Sequence, residues 1–418
     1  MDYSTQPPHG DDDAAAQESI KDRVVELRKR RGLTQEVLAE RAGLSVQVIR
    51  KIEQGGKVRM ETYHAIARVF GVRTVWFTSP ETPDPTPAHH RDTVLFDIRT
   101  AINPPAGLSG RLFSMDSSPP NLPMLESAVA SIANAYQENE YDLVARVAPA
   151  AVRSAHAHVS VLDGDQQRAA VRLRGDALQL TGRYLVQIRE HDLALIALRD
   201  ALSDAIRVGD QALAAAAIGQ QGWALLRQAR FTEVEHLCMT TAEEIEPRMS
   251  RASPDELAAW GYLLMRASAA AARNNRSEEA ADIQSLAASA AARLGTDRDA
   301  AGHMRFGPAT VGMNGMQNEL IAGNPDVALE MSAGLNVDGV TPNTRQRHEL
   351  DQAKARVLVG DADGAEATLH DLRADAPEWL RQQRAAREIA EDIWDATRKK
   401  RKPSQELRDL TEFLGVPL

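Results

Sequence analysis

The chain has 418 residues, 43% of them hydrophobic, and a net charge of −10, long enough for two or three domains and apolar enough to exclude a disordered chain. No run of eighteen apolar residues occurs, and the first residues, acidic at Asp11-Asp12-Asp13, lack a basic-then-apolar leader, which argues against a membrane span or secretory signal. The single cysteine, Cys238, excludes an intrachain disulfide and a cysteine-rich zinc site. A soluble chain in a reducing cytoplasm is the expected setting. The charge is unevenly spread. Residues 19–80 hold thirteen Lys/Arg against six Asp/Glu, a net +7, so the remainder carries −17. One basic segment in an acidic protein points to a polyanion as its partner.

In chain order, residues 1–18 read as a disordered acidic tail and residues 19–79 as a dense series of short amphipathic helices. The first helix has Val24, Val25 and Leu27 on its inner face and stops at Gly32. Thr34 is placed to cap a second helix over 35–42, in which Val37, Leu38 and Ala42 face inward. Gly43 suits a left-handed turn. Ser45 is placed to cap a third helix over 46–54 with Ile49 and Ile52 buried, closed by Gly55-Gly56. A fourth helix over 60–70 and a short fifth around 75–77 complete this domain, with Leu38 and Phe70 in its core. Residues 80–123 hold nine of the twenty prolines and read as a semi-rigid linker carrying one short helix over 92–102.

Residues 124–398 read as almost wholly helical and weakly repetitive. Five segments, starting at Glu190, Ala229, Asn275, Gly323 and Gly360, share a polar turn followed by small and apolar residues at helical spacing, and each follows a longer amphipathic helix. A fainter sixth copy starts at Glu138. The small residues Ala194, Val234, Ala280, Ala328 and Ala365 fall at matching places, as needed for close helix pairing in a superhelix. One helix over 377–397 and a segment over 399–418, with four basic residues and a last helix over 404–414, form the capping end.

The run LTQEVLAERAGLSVQVIRKIEQG, Leu33 to Gly55, resembles the Xre-type, phage-repressor-like helix-turn-helix family, over about 55 residues. Many members carry Pro followed by Ser or Thr where this chain has Val58 and Arg59. The resemblance and the helical geometry agree on the DNA-facing side chains. The third helix enters the major groove N-terminus first, with Val46 set to touch a thymine methyl, Gln47 to pair with adenine and Arg50 with guanine. Thr34, Gln35, Lys51, Gln54, Lys57 and Arg59 are the expected phosphate contacts, whereas Arg28 to Arg31 read as a solvated face in preference to further phosphate contacts. One such module buries roughly 600–1,000 Å² on DNA, so two-fold pairing of protomers on an inverted repeat is expected.

The repeats resemble a degenerate tetratricopeptide-type solenoid, and the combination is similar to regulators common in streptomycetes. The stretches that carry this are Phe306-Gly307-Pro308 to Asn314, Gly323-Asn324-Pro325 with Ala328-Leu329, and His348-Glu349-Leu350-Asp351 to Ala365. The fold class expected is therefore all-α, a five-helix repressor-like reader followed by an α-solenoid. The resemblance implies that the solenoid dimerises and senses a peptide, a small molecule or a partner protein. Trp223, Trp260, Tyr262, Met265, Met304, Phe306, Met313 and Met316 concentrate the scarce large side chains of the chain and are the candidates for lining a ligand groove, although a stripe of this kind at helical spacing is more often core.

Catalysis finds no support. His156 and His158 lie on opposite sides of a helix, His89-His90 has no acidic neighbours, His236 and Cys238 do not face each other, and no phosphate-binding glycine loop occurs. No cofactor is expected. Two readings compete: a ligand-responsive transcription factor, favoured by a deep apolar groove, and a constitutive DNA-binding adaptor that recruits a protein, favoured by a shallow charged one. A scaffold with a vestigial reader ranks last.

Overall fold

The computed structural model describes residues 21, 24–25, 27–29, 33–56, 58–70, 88–108, 119–399 and 402–416. It is all-α apart from one short hairpin. The expected acidic tail, the helix around 75–77, Lys57 and much of the proline-rich linker lie outside the described residues.

The N-terminal helices are α1 (Gln35–Ala42), α2 (Val46–Glu53) and α3 (Met60–Phe70). They close on a core of Val24, Leu38, Ile49, Ile52, Ile66 and Phe70, each at most 1% exposed. Burying such side chains stabilises by roughly 1.5–3 kcal/mol apiece. Next come α4 (Ala88–Ile102), α5 (Leu122–Gln137) and α6 (Tyr141–Val161). Helix α4 brings Ile98 and Ile102 into the same core as α5 and α6, so the short helix of the linker docks on the C-terminal body.

The C-terminal body is a stack of helix pairs. After α5/α6 come α7 (Gly164–Gln187) with α8 (His191–Val208), α9 (Gln211–Arg227) with α10 (Phe231–Glu244), and α11 (Pro254–Arg273) with α12 (Ser277–Leu294). Then follow α13 (Pro308–Ala322) with α14 (Pro325–Ala333) and α15 (Pro342–Leu358) with α16 (Ala362–Asp375). One device turns the chain in all six pairs. Two residues before each second helix the backbone is left-handed, at Asn139, Arg189, Ala229, Asn275, Gly323 and Gly360, with φ between +57° and +92°. The following amide then reaches back to a carbonyl of the first helix, as in Glu190 N to Leu185 O at 2.9 Å and Arg230 N to Leu225 O at 3.0 Å. This satisfies carbonyls that a helix end leaves open. The small residues of the sequence repeat, Ala194, Val234, Ala280, Ala328 and Ala365, are at most 3% exposed, and Val144 occupies the same place in the first pair.

Two features depart from the sequence reading. Residues 298–306 form a hairpin, β1 (Arg298–Ala300) and β2 (Met304–Phe306), paired antiparallel with Asp299 opposite Arg305. Its tip lies against the inner helices: Gln179 Nε2 donates to the Gly302 carbonyl at 2.7 Å and Arg183 Nη1 to that of His303 at 2.8 Å. The expected single helix over 377–397 is two, α17 (Pro377–Gln382) and α18 (Arg384–Arg398), because Gln383 leaves helical geometry at ψ 115°. The last helix is α19 (Gln405–Leu414).

The stack bends back on itself. Helix α15 meets α5, Asn343 Nδ2 donates to the Tyr141 hydroxyl at 2.7 Å, and Asn139 Nδ2 hydrogen-bonds Gln346 Oε1. One core runs through Ile132, Leu178 and Leu198 and on through Leu369, Trp379, Ile393 and Leu410, so the first pairs and the C-terminal helices share an interior. A second core, under α9 to α12, holds Val234, Leu263 and Phe306.

Candidate nucleic-acid interface

Helix α2 is presented by local chemistry. Thr34 Oγ1 accepts from Val37 N at 3.2 Å and caps α1; Ser45 Oγ accepts from Val48 N at 3.4 Å and caps α2. Between them Gly43 takes φ +65°, which a side chain would strain, and lets α1 and α2 cross. With Ile49 and Ile52 buried, the 3.6-residue period leaves Gln47, Arg50, Lys51 and Gln54 exposed. Val46, at the start of α2, is half-buried against the core.

An interior polar anchor holds this face. Arg28 donates through Nε to Glu53 Oε1 at 2.5 Å and through Nη2 to Oε2 at 2.9 Å, while Gln35 Nε2 donates to Oε2 at 2.7 Å. The Arg28 and Glu53 side chains are only 14% and 8% exposed. Burial pushes the Glu53 carboxyl up, but the bonds from Arg28 and Gln35 outweigh it and hold the group below its ordinary value. Arg28 is therefore a structural tie between the first helix and α2, and its reading as part of a solvated face is corrected; a two-point guanidinium–carboxylate bond explains why. Gln35, expected at a phosphate, is committed to the same carboxylate.

The remaining expected contacts fall into two groups. Gln47, Lys51 and Gln54 are exposed on α2. Arg50 lies across α1, 3.4 Å from Glu36 Oε1 and 3.4 Å from Gln35 Oε1, with both charged side chains more than half exposed. Such an exposed pair is weak and leaves the guanidinium free to exchange onto another acceptor. Arg59 stands apart, held by Glu391 at 3.4 Å and by Asp392, both on α18. A phosphate contact by Arg59 would require its release from two carboxylates that lie more than 330 residues away in the chain, a tie that no local pattern reveals.

The expected ligand-groove residues separate just as sharply. Trp260, Tyr262, Met304, Phe306 and Met313 are at most 7% exposed and belong to the packed interior, as do Met265 and Met316. Phe306 fills the space over Gly261, where a Cβ would collide with its ring. Their reading as groove lining is corrected: large side chains at helical spacing fill the seams between stacked helices. Trp223 alone of the set is only partly buried. Around it stand cations that were not among the expected groove residues, although Arg227 and Arg266 follow Trp223 and Tyr262 at the i+4 spacing of one helix face.

Other candidates for chemistry are structural. His158 Nε2 accepts from Asn121 N at 2.7 Å. His156 is buried, and burial together with Arg174 lowers its pKa to about 4. Burial pushes the Cys238 thiol up to about 12, the opposite of what a nucleophile needs. No metal-binding group of three or more His, Cys, Asp or Glu occurs among the described residues, and no described helix is long and apolar enough to cross a membrane.

Comparison with known proteins agrees with the geometry of the N-terminal segment. The family HTH_3, described as Helix-turn-helix, matches residues 24–77. A search of curated proteins finds no match. Among solved structures, the crystal structure of the PrgX/iCF10 complex aligns over 94% of this chain and 95% of that one, at 9% identity and a TM-score of 0.26, too low a score to carry an argument. The capped helices, the left-handed Gly43, the outward polar face of α2 and the family match together make residues 24–77 an Xre-family helix-turn-helix, the DNA-binding part of a transcription regulator.

Proposed function

We propose that this protein is a sequence-specific transcriptional regulator that binds duplex DNA as a homodimer on an inverted repeat and whose helical-repeat body senses an effector. The observation that carries the DNA reading is the outward face of α2. Gln47 and Arg50, the side-chain types that pair bidentately with adenine and guanine, project from a helix fixed underneath by Arg28, Gln35 and Glu53. Lys51 and Gln54 flank them toward the backbone, and Thr34 stands at the N-terminus of α1, whose amides suit a phosphate. Dimerisation follows from area, since one such module buries too little surface for tight selection. The setting that goes with this reading is the cytoplasm, at the nucleoid, and no catalytic step is assigned.

Selection of genomic fragments by the purified full-length protein at physiological salt tests the proposal. The expected result is enrichment of an inverted repeat with fixed half-site spacing. Weak binding that is indifferent to sequence and steeply salt-dependent contradicts it.

The inner face of the repeats favours a second reading. Arg183, Arg266 and Arg347 gather there over Tyr136 and Trp223, and a charged cluster suits a constitutive adaptor that recruits an acidic partner protein. On that reading, DNA affinity is unchanged by any small effector.

A further inference from the structure

The superhelix gathers cations at one place inside an otherwise acidic body. The guanidinium of Arg266 lies 4.8 Å from the centre of the Trp223 ring, and those of Arg227 and Arg347 each lie 5.9 Å from it. They come from α9, α11 and α15, so only the closure of the stack assembles them. Gln187 on α7 extends the group, accepting from Arg347 at 3.3 Å and donating to the Tyr136 hydroxyl at 2.9 Å. One turn away, Arg183 lies 4.4 Å over the Tyr136 ring.

Three observations say that this cluster is more than packing. Like charges sharing one ring repel, and the attraction of a ring face for a cation is weak. Arg183, Arg266 and Arg347 have no ion-pair partner among the described residues; Asp351, which accepts from Gln317 at 2.9 Å, is the acid that acts on Arg347 from further off. The Nε–H groups of Arg183 and Arg266 are also buried with no hydrogen-bond partner among the described residues, a costly state for a charged donor. All this lies in a region of the chain with a net charge of −17 outside residues 19–80, so the cations are a local exception and not part of a basic surface.

We propose that the inner face around Trp223 binds an oxyanion, the carboxylate or phosphate of a small ligand, held by the guanidiniums of Arg266 and Arg347 with the indole as its apolar wall. Paired guanidiniums match such groups in shape as well as charge. The bound anion relieves the mutual repulsion of the cations and ties α11 to α15 across the closure of the stack. This assignment rests on the sensing reading above and names the chemistry of its effector.

The test follows Trp223 emission in the full-length protein during titration with citrate, with inorganic phosphate, and with sodium chloride at matched ionic strength. A saturable change beyond the chloride control is expected with at least one anion, absent in Trp223→Phe and with its midpoint weakened at least tenfold in Arg266→Gln and Arg347→Gln. The responding anion tells carboxylate from phosphate. Should either glutamine variant unfold, Arg266→Lys and Arg347→Lys keep the charge, and a smaller weakening is expected because an ammonium cannot form the two-point bond. No response beyond chloride, or a midpoint unchanged in folded variants, overturns the proposal. DNA affinity measured in the same titrations separates the two claims. Anion binding without a change in DNA affinity upholds the site and refutes sensing. A change in DNA affinity with citrate or phosphate that persists unweakened in folded Arg266→Gln and Arg347→Gln upholds sensing and refutes the site.

Discussion

Individual residues decide whether the DNA-reading face is rigid and whether the body tolerates acid. The Arg28–Glu53 bond joins side chains that are mostly out of water, and removing one partner of such a pair costs about 3 kcal/mol or more because the other charge is stranded. Glu53→Gln is accordingly expected to lower the thermal unfolding midpoint of the N-terminal helices and to weaken DNA binding, although the Glu53 side chain is itself buried. Circular dichroism and fluorescence anisotropy check this; an unchanged midpoint shows that the tie is not structural. His156 gives a pH dependence. Its pKa is lowered to about 4 by burial, with Arg174 adding to the effect, against about 6.5 in the unfolded chain. The unfolded state therefore binds more protons between these values. The contribution is fully present above pH 6.5 and is lost as pH falls toward 4, by roughly 3 kcal/mol in all. His303, lowered to about 4 by burial and Arg183, acts in the same direction. Urea midpoints recorded from pH 7.5 to 4 are expected to fall less steeply in His156→Gln than in the wild type; parallel curves contradict the assignment.

At the scale of elements, the turn inside each helix pair is the recurring unit. Four of the six left-handed positions are occupied by residues with a side chain, and Ala229, at φ +57°, has no polar group to compensate. Left-handed geometry costs an alanine about 1–2 kcal/mol, part of which glycine returns through its greater freedom when unfolded. Ala229→Gly is expected to stabilise the protein by roughly 0.5–1 kcal/mol, read as a rise in the denaturation midpoint, and a fall shows that the turn is not under strain. Elements were also where the sequence was most legible. The caps Thr34 and Ser45, the turn at Gly43, the bounds of α3 and the buried small residue of each pair all obey rules that act within a few residues. What was hidden depends on contacts between distant parts of the chain. The acceptor of Arg28 lies 25 residues away, the 298–306 hairpin is held by side chains of α7, and Tyr262 or Phe306 cannot be told from a groove residue until the helices that cover them are known.

Over the whole molecule, the reading head and the repeat body touch. Arg59, just before α3, is held by Glu391 and Asp392 of α18, and the His64 ring lies 6.4 Å from that of Phe231 on α10. DNA phosphate would have to compete with those carboxylates for Arg59. The pairs are partly exposed, between 27% and 44%, so the competition is worth only about 0–1 kcal/mol per pair. The double variant Glu391→Gln, Asp392→Asn is expected to bind duplex DNA about two- to tenfold more tightly, with the gain abolished by Arg59→Ala; a gain that survives Arg59→Ala contradicts this coupling. On the proposed function, specificity depends on base reading by α2. The decisive comparison is between the base preferences of wild-type and Arg50→Ala protein over every position of the selected operator, at one fixed salt concentration. Loss of preference at one guanine in each half-site, worth about 1–3 kcal/mol, with the other positions intact, is the predicted result. An identical preference profile, or a uniform loss at all positions, contradicts the account.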